Sequence, residues 1–240
     1  MMLKAALNGN RSSQENPAVP TTPEHLAQDA KAAVALGIGA IHVHPRDVGG
    51  LESLHWSDIE LAIVTIRQAC PDVPIGISTR EGITATVTQR FELVCGWRNS
   101  LDFASVNFHE EGSAAVARKL IGMGIGVEAG LFTAEGAENL VASGLAEQCL
   151  RIMLEPIDES VDDALRTVNT TERILDDSKI SNPSRLLHGF DTTAWPMLVE
   201  AKKRGYDSRV GLEDTLFLPD GSAAKSNVEL VKCATHLLAD

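Results

Sequence analysis

The sequence predicts an α/β protein built as one (β/α)8 TIM barrel, a single domain over residues 1–240. Three observations carry that prediction. Short apolar strands alternate with amphipathic helices along the whole chain, the strands number eight, and each one ends in polar side chains. Eight β/α units in a chain of this length suit a barrel better than a doubly wound open sheet, which more often uses fewer strands. The active site of such a barrel lies at the C-terminal ends of the strands, where the loops gather.

Taken in order, the first strand is expected over 3–7. Thr22 then caps a helix with Pro23 in its first position, and Gly37 stops that helix after about residue 35. A strand over 40–44 follows, and Ser57 is expected to cap a helix over 58–68. Further strands fall near 75–78, 103–107, 126–131, 151–154, 186–189 and 208–213. Helices near 84–95, 112–123, 134–144, 160–177, 193–204 and 226–238 fill the gaps. The last of them opens with Ser226-Asn227-Val228-Glu229, the pattern of a capping box.

Composition narrows the function classes. A net charge of −12 argues against nucleic acid, which needs a clustered positive surface to neutralise phosphates. No apolar run approaches the roughly 20 residues of a membrane span. The N-terminal apolar segment, Met1 to Leu7, is short for a signal peptide and lacks a convincing cleavage site, so the chain is expected to be mature from its start. Cys70, Cys95, Cys149 and Cys233 follow no paired spacing and read as reduced thiols of a cytoplasmic protein.

The polar strand ends hold the chemistry. In Ile41-His42-Val43-His44-Pro45-Arg46 strand alternation turns His42 and His44 to one face and Ile41 and Val43 to the other. The same parity in Arg209-Val210-Gly211-Leu212-Glu213-Asp214 pairs Arg209 with Glu213. Two imidazoles and one carboxylate form a three-ligand set that leaves a zinc position open for substrate, although divalent iron uses the same set. A hydrogen-bonded imidazole pair in a polar cavity is the plain alternative, and a structural salt bridge is the plain alternative for Arg209.

Asn8, Ser78, Thr79, Ser105 and Asn107 also end strands and offer hydroxyl and amide groups to a substrate oxygen, or satisfy loop backbone instead. Glu128 stands on the fifth strand's inward face between Gly126 and Gly130, with Glu155 and His188 closing the sixth and seventh strands. Charged groups cost several kcal/mol to bury unpaired, so such a ring calls for pairing, metal or substrate. His25, His55 and His236 fall on helices or in a loop and read as packing or solvent-facing; His109 follows the fourth strand near the mouth.

These segments resemble the β-keto acid cleavage enzymes. The resemblance runs from Leu3-Lys4-Ala5-Ala6-Leu7-Asn8-Gly9 through Pro23-Glu24, the His42 and His44 segment, Ile77-Ser78-Thr79, Ala104-Ser105-Val106-Asn107 and the Arg209 to Asp214 segment to Ser226-Asn227. It implies a zinc-dependent barrel with His42, His44 and Glu213 as metal ligands, Arg209 and Asp214 as catalytic residues, and Ser78, Ser105 and Asn107 on the substrate carboxylate. It further implies a Claisen-type exchange, in which a β-keto acid and acetyl-CoA give acetoacetate and a new acyl-CoA, and a homo-oligomer, dimer or tetramer.

Two positions depart from the family member that acts on 3-keto-5-aminohexanoate, which has glutamates where this chain has Arg11 and Gly130. Both changes remove anionic partners for a substrate ammonium, and Arg11 joins the substrate-binding candidates with its sign reversed. The expected β-keto acid is therefore neutral or carries a second carboxylate, with Glu128 as the expected replacement for the carboxylate missing at Gly130. A metal-dependent aldolase or hydrolase on the same barrel, or a metal-binding barrel without catalysis, are the competing readings.

Overall fold

The computed structural model describes residues 1–239 and is a single α/β barrel. Its strands are β1 (Leu3–Ala6), β2 (Ala40–Val43), β3 (Ile75–Ser78), β4 (Phe103–Asn107), β5 (Gly126–Leu131), β6 (Arg151–Leu154), β7 (Ser184–Leu187) and β8 (Ser208–Val210). Between and after them run α1 (Pro23–Val34), α2 (Trp56–Ala69), α3 (Val87–Cys95), α4 (Ser113–Gly122), α5 (Ala134–Ser143), α6 (Val161–Asp177), α7 (Ala194–Arg204) and α8 (Asn227–Ala239). All strand pairs are parallel, in the order β7-β6-β5-β4-β3-β2-β1-β8. Leu186 and Asp207 bridge the remaining seam, where Leu187 N donates to the Asp207 carbonyl at 3.0 Å.

Strand alternation sorts the side chains. Ile41, Val43, Ile75 and Ile77 face outward and join Ile59, Ile63 and Ile66 of α2 in the apolar layer between barrel and helices. The opposite faces fill the interior. Lys4 of β1 reaches across to β5 and β6, with its Nζ 2.5 Å from Glu128 Oε2 and 3.2 Å from Met153 Sδ. Phe103 packs where a Cβ on Gly76 would stand, which closes the barrel below its mouth.

Some boundaries differ from the sequence reading for local reasons. The β7 strand begins at polar Ser184 and Arg185, which pair with Arg151 and Ile152, so it lies two residues earlier than its apolar pair suggested. The β8 strand stops at Val210, because Gly211 starts a turn whose carbonyl accepts from Asp214 N and Thr215 N at 2.9 and 3.1 Å. Ser57 lies inside the first turn of α2; Ser53 instead accepts from His55 N at 3.1 Å and donates to Asp58. A 3-10 turn over Glu81–Ile83 precedes α3, whose cap is Thr86. All four cysteines are unpaired, and among the described residues no helix is long and apolar enough to cross a membrane.

Candidate metal centre and active site

The C-terminal strand ends surround a cavity of about 510 Å³. At its floor, His42 Nε2 lies 3.7 Å from Glu213 Oε2, and His44 Nε2 lies 3.6 Å from Glu213 Oε1. The three donor groups fall within 4.8 Å of one another. These gaps are too long for hydrogen bonds and suit donors that each stand ~2 Å from a shared ion. Glu213 Oε2 is buried and unpartnered among the described residues, as expected of a ligand oxygen that faces an ion.

Local chain geometry builds this cluster. Asn8 clamps the end of β2 by accepting from His44 N and donating to the His44 carbonyl, both at 2.9 Å, and it donates to the Pro20 carbonyl at 3.1 Å. Glu213 comes from the turn after β8, not from the strand. Gly211 lets that turn pass against β1, since a Cβ there would overlap the Ala6 carbonyl oxygen. Gly9, at φ +53°, leaves the space that the Glu213 side chain occupies.

Behind His44 stands Glu52, whose Oε1 is 2.5 Å from Nδ1 and which also receives the Arg80 guanidinium. Burial pushes the Glu52 carboxyl up, but the hydrogen bonds from His44 and Arg80 win and hold it at about 2. A carboxylate on the outer imidazole nitrogen fixes the ring so that Nε2 faces the cluster. Burial holds His42 well below its ordinary value, and thus in the neutral form that binds a metal.

Arg209 ties the cluster to the acids beside it. Its Nη2 donates to Glu213 Oε1 at 2.9 Å and to Asp214 Oδ1 at 2.7 Å, while Nη1 lies 3.9 Å from Glu155 Oε2. Arg209 lines the cavity and Asp214 does not: Asp214 is 1% exposed and supports Arg209 from behind, with its Oδ1 also 3.6 Å from His188 Nδ1. Asp214 thus holds Arg209 through Oδ1, while its buried Oδ2 has no partner among the described residues.

Other candidates divide in the same way. Ser78, Ser105 and Asn107 line the cavity. Asn107 gives its amide hydrogens to Glu110 at 2.8 Å, which leaves its oxygen for the cavity. Thr79 is spent on the Ser105 carbonyl at 2.7 Å, and Asn8 on the backbone, so neither lines it. Arg11 reaches the rim, where its guanidinium is held by Asp191 at 2.6 Å and by Glu15 at 3.4 Å. Glu128 is corrected outright: both its oxygens bond cations, Lys4 and Arg151, and it lies outside the cavity. On the cavity side of β5, a Cβ on Gly130 would overlap Glu155 Oε1 and lie 2.6 Å from Asn107 Oδ1.

Glu155 is thus the carboxylate beside Gly130. The sequence placed it at a strand end, and its inward parity with Arg151 and Met153 was the available signal. Glu52 and the wall formed by Phe132, Phe190 and His109 come from loops, where no period marks a facing side chain.

The chain is 26% identical over 265 residues to a 3-keto-5-aminohexanoate cleavage enzyme of Acetoanaerobium sticklandii, covering 99% of this chain and 91% of the relative. It is 27% identical over 251 residues to the enzyme of the same name from Fusobacterium nucleatum, covering 99% and 90%. Among solved structures, the complex of ObcA with oxaloacetate superposes with a TM-score of 0.72 at 16% identity, covering 93% of this chain, which spans 64% of ObcA. The 3-dehydroquinate dehydratase of Aquifex aeolicus superposes at 0.60 with 9% identity over 98% of both chains. These two likenesses show the barrel. The sequence model of the beta-keto acid cleavage enzymes matches residues 1–240, and by that match over its whole length the chain belongs to the β-keto acid cleavage enzyme family.

Proposed function

We propose that the protein is a zinc-dependent acyltransferase that exchanges acyl groups between a β-keto acid and acetyl-CoA, giving acetoacetate and a new acyl-CoA. The observation that carries this reading is the convergence of His42, His44 and Glu213 at the cavity floor beside Arg209, in a chain that belongs to the family throughout. The ligand set has two imidazoles and one carboxylate, and it fits zinc. Bound there, zinc supplies a Lewis acid that stabilises charge developing on the β-keto oxygen.

The chain's own groups do the rest. Arg209 offers its Nη1 face to an anionic oxygen, and the Ser78 and Ser105 hydroxyls reach the cavity from β3 and β4 for the substrate carboxylate. The substrate tail is uncharged in this reading. Arg11 is already matched by Asp191 and Glu15, so it offers little to a second carboxylate, and Phe132, Phe190 and Ile157 give the cavity an apolar wall. The protein is also expected to work in the cytoplasm, a reading carried by its unpaired cysteines, and as a homo-oligomer, dimer or tetramer, an expectation carried by the family resemblance.

A panel of β-keto acids with acetyl-CoA, run with metal analysis, tests this. The expected result is acetoacetate formation that needs both acetyl-CoA and the metal and is strongest with an uncharged, apolar tail. Turnover without acetyl-CoA would favour an aldolase or hydrolase, and strongest activity on the amino-bearing acid would contradict the charge argument.

A further inference from the structure

Of the buried carboxylates of the barrel interior that hold no place in the metal cluster, Glu128 is locked below the mouth between Lys4 and Arg151, and Asp214, whose Oδ2 is also unpartnered among the described residues, bonds Arg209 and stands outside the cavity. Glu155 differs from both, because it lines the cavity while only 3% exposed. Its two oxygens have different surroundings. Oε2 accepts from His188 Nε2 at 2.8 Å, whereas Oε1 has no partner among the described residues and points to the space over Gly130, beside Asn107 Oδ1.

We propose that Glu155 is the acid–base residue of the site, with its free oxygen aimed at the substrate and His188 as the positioning residue that fixes its other oxygen. The assignment rests on the β-keto acid reading. An unpartnered buried carboxylate oxygen is costly unless something uses it, and a glycine at 130 gives that oxygen room that any side chain would fill. His188 is fully buried and held near 3, so it is neutral and donates one N–H without cancelling the carboxylate charge.

The proton balance is closed. Glu155 takes one proton from C2 of the β-keto acid, and the C–H electron pair forms the bond from C2 to the thioester carbon of acetyl-CoA as the carbon–sulfur bond breaks. The released thiolate adds to C3, the bond between C2 and C3 breaks, and its electron pair returns to C2. That carbon regains the proton from Glu155. The carboxylate ends as it began, and the products are acetoacetate and the new acyl-CoA.

The acidity of Glu155 agrees with this task. Burial raises it to about 7, opposed by Arg209 and Lys4 and assisted by Glu213 and Glu128, with His188 as the neutral neighbour on the β7 side. A base poised near the working pH both accepts and returns a proton readily.

The test uses metal-loaded full-length protein and two readouts, turnover with acetyl-CoA and deuterium uptake at C2 of the β-keto acid in heavy water without acetyl-CoA. Glu155→Gln is expected to lower kcat by about 100-fold or more and to abolish enzyme-dependent C2 exchange, with KM within about threefold and metal content unchanged. The relocation variant Gly130→Glu with Glu155→Gly is expected to recover about tenfold over Glu155→Gly alone, because the carboxylate returns to the same space from β5. Glu155→Gln retaining kcat and C2 exchange within about threefold of the wild type would overturn the assignment. A wild-type chain inactive on the whole panel would overturn the β-keto acid reading itself and Glu155 with it, an outcome distinct from an active wild type with an active Glu155→Gln.

Discussion

Arg209 stands among more acids than any surface ion pair would need. It hydrogen-bonds Glu213 and Asp214 and lies 3.9 Å from Glu155, all inside the barrel mouth. Buried charge of this density is retained for specificity or chemistry more than for stability. Arg209→Ala is therefore expected to lower kcat by about 100-fold or more while zinc content, measured by elemental analysis, stays at the wild-type level. Retained turnover would return Arg209 to a structural role. The pH profile follows from the neighbouring acid: Glu155 must be ionised to accept a proton, so kcat/KM should rise with pH through about 7 and flatten above it. An unchanged acid limb in Glu155→Gln would contradict that origin.

At this scale the sequence was informative wherever a strand's alternation selected the residue. His42 and His44 share the cavity floor, and Ser78, Ser105 and Asn107 reach the cavity, because the inward face of each of their strands could be counted. Asn8 and Thr79 share that parity or adjacency, yet their side chains bond backbone, a choice set by three-dimensional neighbours. Glu128 failed for a related reason: inward parity does not say how deep a residue sits, and Lys4 waits at its level. Glu52 lies eight residues beyond His44 in a loop with no period at all.

Elements explain how Glu213 arrives. Reading 208–213 as one strand assigned Glu213 to the histidine face by parity, whereas the chain leaves β8 after Val210 and delivers Glu213 from a turn. The outcome is the same cluster by a different path, with Gly211 pressed on β1 as its requirement. Gly211→Ala is expected to cost about 3 kcal/mol in urea unfolding and to reduce metal occupancy, since backbone cannot move aside as a side-chain tip does. A variant with wild-type stability and full zinc would show that the turn tolerates the shift. The strands β3 to β6 were legible to the residue because apolar alternation and flanking turns coincide there; β7 was displaced because its first residues are polar.

The whole molecule separates a stabilising half from a working half. Toward the N-terminal ends of the strands, Lys4, Glu128 and Arg151 fill the interior with a paired network, and the cavity opens only above it. Lys4→Met leaves Glu128 with Arg151 alone and is expected to cost about 3 kcal/mol in urea unfolding while metal content is kept. No loss of stability would mean that the pair merely offsets its own desolvation. The barrel itself was visible from the count of β/α units, since that rhythm is set by local periodicity. The cavity wall was not, because loops from β5 and β7 supply Phe132 and Phe190.

In the proposed reaction an acetyl group moves from coenzyme A onto the two-carbon fragment of a β-keto acid. Acetyl-CoA labelled with carbon-13 at its carbonyl, incubated with the metal-loaded protein and an unlabelled β-keto acid, reads that transfer directly by nuclear magnetic resonance. Acetoacetate labelled at C3 together with an unlabelled new acyl-CoA is expected. Unlabelled acetoacetate, or a cleaved β-keto acid with the label still on acetyl-CoA, would contradict it.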